Sequence, residues 1–503
     1  MDSSSVDAGQ GSGEVHEARF DSLNPGTGEV VGSHPIHSAE DVAAAVDRAR
    51  IASTWWSELG FAGRTQRLLK WNGVITRRMN ELIDVVCAET GKPRRDAQLE
   101  IVLAIDHIAW AAKHARRVLG PQRRSPGLLL ANFAASVRYD PLGVVGVIGP
   151  WNYPVFTPMG SIAYALAAGN AVVFKPSEYT PGVGLWLAET LAEAVPDQPV
   201  LQVVTGFGDT GAALCRAGVD KVAFTGSAGT GRKVMAACAE SLTPVIIEGG
   251  GKDSLLVDAD ADLEAAADAA VWGGMSNAGQ TCVGVERVYV HERVHDEFVA
   301  KLLDKAKQVH AGTGTGDQIG PITMPSQLNV IREHITDALA RGGKALLGGA
   351  DAVGERFVQP TVLVNVPEDS KAVTDETFGP TLTVAKVRDM DDAVARANAT
   401  RYGLGNTVFA KKNAMAIAER LRSGMVSVNS VISFAGIPSL PFGGVGDSGF
   451  GRIHGPDGLR EFARAKAIAK PRFTAPIQLT TFTKTERADA LVGKLMTFLH
   501  GRK

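Results

Sequence analysis

Val144-Val145-Gly146-Val147-Ile148 and Ala171-Val172-Val173-Phe174 are short apolar runs, and residues 158–168 between them carry a helical pattern. A strand, a helix and a second strand in this order close as a parallel pair, with the helix crossing over one face. The pattern continues through a helix at 182–194, a strand at Leu201–Val204, a helix at 210–217, a strand at Lys221–Phe224, a helix at 229–239 and a strand at Pro244–Ile247. A second alternating region runs from about 254 to about 440, with strands at Ser254–Val257, Val285–Val290, Thr361–Val364 and Met425–Val428. The alternation predicts an α/β fold of two doubly wound parallel-sheet domains, helices on both faces, whose facing edges form a cleft.

Ahead of this region, Asn24-Pro25-Gly26-Thr27-Gly28 places turn chemistry between apolar runs and predicts a hairpin over about 20–35. Ser38 and Asp41 have capping-box spacing and open alanine-rich helices that extend to Gly120. Pro121–Pro126 reads as a break, Ser136–Tyr139 as an exposed strand and Lys466–Phe473 as a late strand. Met1–Ser5 lacks the basic start and apolar run of a signal peptide, so residues 1–18 read as a disordered leader. No stretch reaches the roughly 18 uninterrupted apolar residues of a membrane span, and the expectation is a cytoplasmic protein. A net charge of −2 over 503 residues offers no electrostatic case for nucleic acid. The four cysteines are scattered, without a CxxC pair or a histidine cluster, which speaks against a disulfide framework or a metal centre. Cys87, Cys215 and Cys238 read as core residues.

Cys282 has a different setting. Asn277-Ala278-Gly279-Gln280-Thr281-Cys282 surrounds a thiol with small neighbours, leaving room for a substrate carbon to approach a nucleophile. Glu248-Gly249-Gly250-Gly251-Lys252 supplies a carboxylate ahead of a glycine run, and Pro150-Trp151-Asn152-Tyr153-Pro154 supplies a side-chain amide. A nucleophile, a base and an oxyanion donor are the parts that acyl chemistry needs. Singly, each has a plainer reading: an inert core thiol, a surface carboxylate, a turn-forming asparagine. Lys252 reads as a partner in a structural ion pair. Phe224-Thr225-Gly226-Ser227, leading to Gly231, carries a strand into a helix whose bare N–H groups and positive dipole end suit a phosphate. Gly206-Phe207-Gly208-Asp209-Thr210-Gly211 is a literal GxGxxG, but the acidic residue expected about 20 positions on is missing. A chance match is the preferred reading there.

Phe174-Lys175-Pro176-Ser177-Glu178, Glu376-Thr377-Phe378-Gly379-Pro380 and Pro441-Phe442-Gly443-Gly444 complete the set. In these segments and their order the chain resembles the NAD(P)-dependent aldehyde dehydrogenase superfamily, from about residue 20 to about residue 470. The resemblance implies that Cys282 attacks an aldehyde to give a thiohemiacetal and then a thioester, that Asn152 holds the oxyanion, and that Glu248 activates the hydrolytic water. It implies NAD as cofactor, with NADP possible. Lys175 and Glu178, with Ser177, would face the adenosine ribose; Gly226, Ser227 and Gly231 the pyrophosphate; Glu376 and Phe378 the nicotinamide end. Trp151 and Gly208 complete the cofactor set. Glu178 can accept from both ribose hydroxyls and repels a 2′-phosphate, which favours NAD. The implied organisation is a cofactor-binding domain over 19–120 and 142–250, a catalytic domain over 251–450, a small β oligomerisation arm from 121–141 and 464–480, and a tail over 481–503. That arm implies self-association to a dimer or tetramer. Where relatives carry leucine after the base, this chain has Gly249, which adds backbone freedom beside Glu248.

Val431–Leu440 is uncharged, and Tyr153, Thr157, Gly160, Phe434 and Phe442 are candidate pocket walls, with core packing as the alternative for each. An apolar pocket points to an aliphatic or aromatic aldehyde. A CoA-acylating or semialdehyde dehydrogenase of the same superfamily is the alternative; a silent binding protein and a cofactor-free cysteine hydrolase stand further off. Residues 487–503 can form a basic amphipathic helix, read as a packed surface helix rather than a membrane contact.

Overall fold

The computed structural model describes residues 18–314, 316–475, 477–478 and 480–501. Residues 1–17 of the expected leader and Arg502 and Lys503 of the tail lie outside the described residues. Strands β1 (Arg19–Leu23) and β2 (Val30–Pro35) form the expected antiparallel hairpin. Its turn is held by the Asn24 side chain, whose Oδ1 accepts from the Gly26 and Thr27 amides at 2.9 and 3.0 Å. The Ser38–Asp41 capping box forms and starts the helix Ala39–Glu58. Helices Gly60–Arg77, Met79–Thr90 and Arg94–Leu119 follow. Residues 121–126, expected as a break, contain a short strand β3 (Gln122–Arg124), which pairs with β4 (Phe133–Pro141).

The first large sheet is built from β5 (Val144–Ile148), β6 (Ala171–Lys175), β7 (Leu201–Val203), β8 (Lys221–Thr225) and β9 (Val245–Glu248), all mutually parallel. Helices Phe156–Ala168, Pro181–Ala194, Gly208–Arg216 and Ala228–Ala239 connect them. Every residue of β6 is buried, as expected for a strand covered on both faces. The spatial order β9-β8-β5-β6-β7 reverses direction between β5 and β8. A ligand crevice forms beyond the carboxyl ends of strands at such a switch point.

The second sheet has the order β12-β13-β14-β11-β10-β15-β16, from β10 (Asp253–Val257), β11 (Val285–His291), β12 (Lys344–Leu347), β13 (Thr361–Val364), β14 (Thr381–Val387), β15 (Asn406–Phe409) and β16 (Ser427–Val428). Only β12 runs antiparallel to its neighbour. Leu255 and Val257 enter one apolar cluster and Leu256 another, so successive residues of β10 face helices on opposite sides. β17 (Gly449–Phe450) lies in the stretch assigned to the second domain, yet it joins the first sheet as an antiparallel edge beside β9. β18 (Ala463–Pro471) pairs with β4 along its whole length and gives the small sheet β18-β4-β3. The tail forms a helix, Glu486–His500, but none of its residues is buried, which corrects the expectation of a packed helix. Among the described residues no helix is long and apolar enough to cross a membrane.

Candidate active site

Cys282 is delivered by a strained loop. Asn277 and Ala278 take left-handed φ of 51° and 55°, and Gly279 follows at 72°. Such a conformation costs an L-residue roughly 1–2 kcal/mol and persists where neighbours over-determine it. Here Asn277 Nδ2 donates to the Asn152 and Gln280 carbonyls at 3.0 and 3.2 Å. Gln280 Nε2 donates to the Asn277 and Pro321 carbonyls, and its Oε1 accepts from the Thr323 amide at 2.8 Å. Gly279 packs so closely on Gly379 that any side chain would overlap its carbonyl. The residues before the thiol thus serve to hold a turn that places Cys282 where two cavities meet, an apolar chamber and a longer groove.

Asn152 follows β5 and lines the groove beside Cys282. Its Nδ2 donates to the Gln280 carbonyl at 2.9 Å, which engages one amide hydrogen and leaves the second for a ligand oxygen. The Asn152 backbone carbonyl accepts from Lys92 Nζ at 2.7 Å. Lys92 is buried and pairs with the buried Glu100 at 2.6 Å. The other Glu100 oxygen accepts from the Val155 amide at 2.9 Å. One ion pair therefore fastens the Asn152 loop to the helix Arg94–Leu119.

Glu248 ends β9 and shares the chamber with Cys282. Both carboxylate oxygens are buried and have no hydrogen-bond partner among the described residues. Burial raises its pKa well above the carboxylate range; Arg452 opposes the shift and Glu461 adds to it. Gly249 does not loosen Glu248. Its amide donates to the Ser448 carbonyl at 3.0 Å, and a Cβ would fall 2.7 Å from the Asp447 carbonyl oxygen. Glycine here permits a close backbone approach that clamps Glu248 between β8 and β17. The Cys282 thiol is pushed up by burial and by the Glu376, Asp253 and Glu248 carboxylates.

The groove runs along the switch point. Trp151, Lys175, Ser177, Glu178, Gly208, Gly226, Ser227, Glu376 and Phe378 line it. Lys175 Nζ lies 3.5 Å from Glu178 Oε2, and Ser177 Oγ donates to the same oxygen at 3.3 Å. Ser227 caps the helix Ala228–Ala239 by accepting from the Thr230 amide at 3.2 Å. A Cβ at Gly226 would fall 2.7 Å from the Phe224 ring, so the backbone stays bare at the helix start. Bare N–H groups at a helix start suit an anion such as a diphosphate. Gly231 is not in the groove wall; it lies behind it, where a Cβ would come 3.1 Å from Ile247, and lets the helix approach the sheet. At the inner end Glu376 Oε1 accepts from the Gly251 amide at 3.0 Å. Burial and the Glu286 carboxylate push Glu376 up to about 8. Trp151 and Phe378 meet edge to face at 5.5 Å. Lys252 forms the expected structural ion pair, with buried Glu286.

Tyr153, Thr157 and Phe442 line the chamber, together with Phe156, Trp272, Ile432 and other apolar groups. Gly160 and Phe434 do not. Phe434 packs behind Phe442 at 6.4 Å between ring centroids, and Gly160 abuts the ring of His454. Among the described residues, no lysine or arginine is in the chamber wall.

A family model described as the aldehyde dehydrogenase family matches residues 13–468. The chain belongs to the aldehyde dehydrogenase family. A Mycobacterium tuberculosis relative, provisionally named succinate-semialdehyde dehydrogenase [NADP(+)] 2, is 37% identical over 453 residues, 89% of this chain and 87% of the relative. The 4,4'-diapolycopene aldehyde oxidase of a Methylomonas species is 36% identical over 449 residues, 88% and 84% of the two chains. The solved NAD-dependent aldehyde dehydrogenase of Sinorhizobium meliloti superposes with a TM-score of 0.87 at 35% identity, covering 95% of each chain.

Sequence reasoning missed four residues at the site of this aldehyde dehydrogenase. Lys92 and Glu100 come from elements far from the catalytic motifs, and only the lysine inside Gly91-Lys92-Pro93, at a break between helices, offered a signal. Lys233 adds a cation to the groove, one turn into the helix that starts at Ala228. His454 enters the chamber wall from the segment after β17.

Proposed function

We propose that this chain oxidises an apolar aliphatic or aromatic aldehyde to its carboxylic acid, with NAD preferred over NADP. The observation that carries the substrate class is the chamber beside Cys282, apolar over most of its wall and without a cation among the described residues. The carboxylate of a succinate semialdehyde would be buried there unpaired, which is costly; a 4,4'-diapolycopene aldehyde asks for an apolar passage. Cys282 Sγ, as its thiolate, bonds to the aldehyde carbon while the carbonyl π pair moves to oxygen, and the unengaged N–H of Asn152 steadies the resulting oxyanion. When bound, the nicotinamide is the acceptor for the hydride. Glu248, with both oxygens unengaged, takes the proton from the water that cleaves the thioester on Cys282. That buried base supports hydrolysis over transfer to CoA, which needs none. Glu178, part of the groove wall beside Lys175, supports NAD; Lys233 and the NADP(+) name of the mycobacterial relative favour the second reading. Self-association through the β18-β4-β3 sheet and a cytoplasmic location belong to the same proposal, the latter supported by four free thiols.

The test is a panel of octanal, benzaldehyde and succinic semialdehyde, each with NAD and NADP and without CoA, read as reduced cofactor. The expected order places octanal and benzaldehyde at least tenfold above the semialdehyde in kcat/KM, the discrimination an unpaired buried polar group produces. Succinic semialdehyde ahead of octanal overturns the substrate class, and a clear NADP preference overturns the cofactor assignment.

A further inference from the structure

The helix Pro181–Ala194 has no side-chain cap from its own N-cap residue, Thr180, and Pro181 has no N–H. The next two donors go to another helix. Glu89, in the last turn of Met79–Thr90, is 3% exposed, and its Oε1 and Oε2 accept from the Gly182 and Val183 amides at 2.8 and 3.0 Å. These are the donors that a local capping side chain would take. The approach is close because residue 182 is glycine, where a Cβ would fall 2.8 Å from Oε1. Burial pushes the Glu89 carboxyl up to about 7, and the Gly182 and Val183 amides and the Ser22 hydroxyl pull it back. The helix start in turn holds the loop ahead of it. A Cβ at Gly184 would meet Pro176 at 2.8 Å, the Thr180 amide donates to the Ser177 carbonyl at 3.1 Å, and the Tyr179 amide donates to Ser177 Oγ at 3.3 Å. Lys175, Ser177 and Glu178 therefore stand on a short span fixed by β6 at one end and by Glu89 at the other. Lys92, close behind Glu89 in the chain, holds the Asn152 carbonyl. Between them the Thr90 carbonyl accepts from Thr323 Oγ1 at 3.2 Å, and the Thr323 amide binds Gln280. One turn thus reaches the groove, the Asn152 loop and the Cys282 loop.

We propose that Glu89 is a positioning residue for the cofactor: through the Gly182 and Val183 amides it fixes the loop that carries Lys175, Ser177 and Glu178 into the groove. This rests on the reading of the groove as the dinucleotide site. Glu89 is in the wall of neither the groove nor the chamber, so it acts through that loop. A carboxylate at the positive end of the helix dipole is favourable there. Without it two amides lose their acceptor, and the helix start and the loop move to find another. Dinucleotide binding then weakens, while Asn152 keeps its own tie through Lys92.

The experiment measures the Kd for NAD by calorimetry, and steady-state kinetics with the aldehyde that the panel ranks first, in E89L, E89Q, G182A and E178Q. E89L is expected to weaken NAD by about tenfold in Kd and KM, the scale of a buried donor left unpaired. Its kcat at saturating NAD is expected to stay within about twofold of the wild type, the pattern of lost ground-state binding. E89Q keeps one accepting oxygen and is expected to lose only about threefold. G182A keeps Glu89 and suits a helix better than glycine, but its methyl displaces the carboxylate, so NAD is expected to weaken with little change in melting temperature. Should E89L fail to fold, E89Q and G182A decide. NAD bound by both as tightly as by the wild type overturns the proposal. A lower kcat with an unchanged Kd for NAD overturns it too, since that marks a structural loss alone. E178Q tests the reading beneath: NAD binding unchanged in E178Q removes the groove as the ribose site, whereas a weakened E178Q beside an unaffected E89Q and G182A removes the role of Glu89 alone.

Discussion

At Glu248 a carboxylate sits with no partner for either oxygen among the described residues, and burial keeps its proton on at pH values where a free carboxylate has lost it. The base form therefore grows as pH rises through the elevated pKa. Steady-state kcat is expected to climb with pH on the alkaline side of the ordinary glutamate value of about 4.3, and to lose that limb in E248Q. In the proposed role Glu248 acts on water after the hydride has left, so E248Q is expected to keep a burst of NADH of about one equivalent per site. Its steady rate should fall by about a hundredfold, the range of a general base. Rapid-mixing absorbance across a pH series reads both quantities. An E248Q enzyme with an unchanged steady rate leaves the hydrolytic role without support.

Among the elements, the helix Arg94–Leu119 governs a loop that holds none of its own residues. Lys92, just ahead of it, bonds the Asn152 carbonyl and Glu100. K92M leaves Glu100 as a buried, unpaired charge, and the expected loss is about 3–5 kcal/mol. K92M/E100Q removes that charge while the side-chain carbonyl of the substituted residue can still accept from the Val155 amide, so urea melts should show most of the stability returning. Activity should stay low in the double variant, because the Asn152 carbonyl has still lost its lysine. If both variants melt like the wild type, the pair does not fasten the loop. This is also where legibility in the sequence divides. Cys282, Glu248 and Asn152 stand inside contiguous motifs whose residue types carry their chemistry, and the strands β5 to β9 are apolar runs long enough to read. Lys92, Glu100 and His454 reach the site from remote elements, and nothing local tells a buried lysine from an exposed one. Gly160 and Gly231 show a second limit: a glycine can make room for a ligand or for a neighbouring side chain, and the letter is the same. Gly249 was open to misreading as freedom because the approach of residues 447–448 is a tertiary event.

For the whole molecule, the two large, mostly parallel sheets bring their strand ends to one crevice, and the small sheet β18-β4-β3 stands apart from it. β18-β4-β3 has edges, and the longer edge strand, β18, is exposed over nearly its whole length, with Ile468 at 42%. The loop between β3 and β4 adds Leu128, Leu129 and Leu130, exposed at 61%, 42% and 42%, and Phe473 joins them through the bond from Asn132 Nδ2 to its carbonyl. Exposed apolar patches of this kind mark contact surfaces, and a long open strand edge is managed by covering it. In the proposed self-association the β18-β4-β3 sheet is the surface that meets a second copy. Light scattering on the full chain is expected to give two or four copies. Replacing Leu128, Leu129 and Leu130 with serine removes apolar area without touching the strands, and is expected to shift the mass toward one chain at micromolar concentration with far-ultraviolet circular dichroism unchanged. A wild-type chain that runs as a single copy at that concentration assigns the arm some other task, because the exposed leucines then cover nothing in solution.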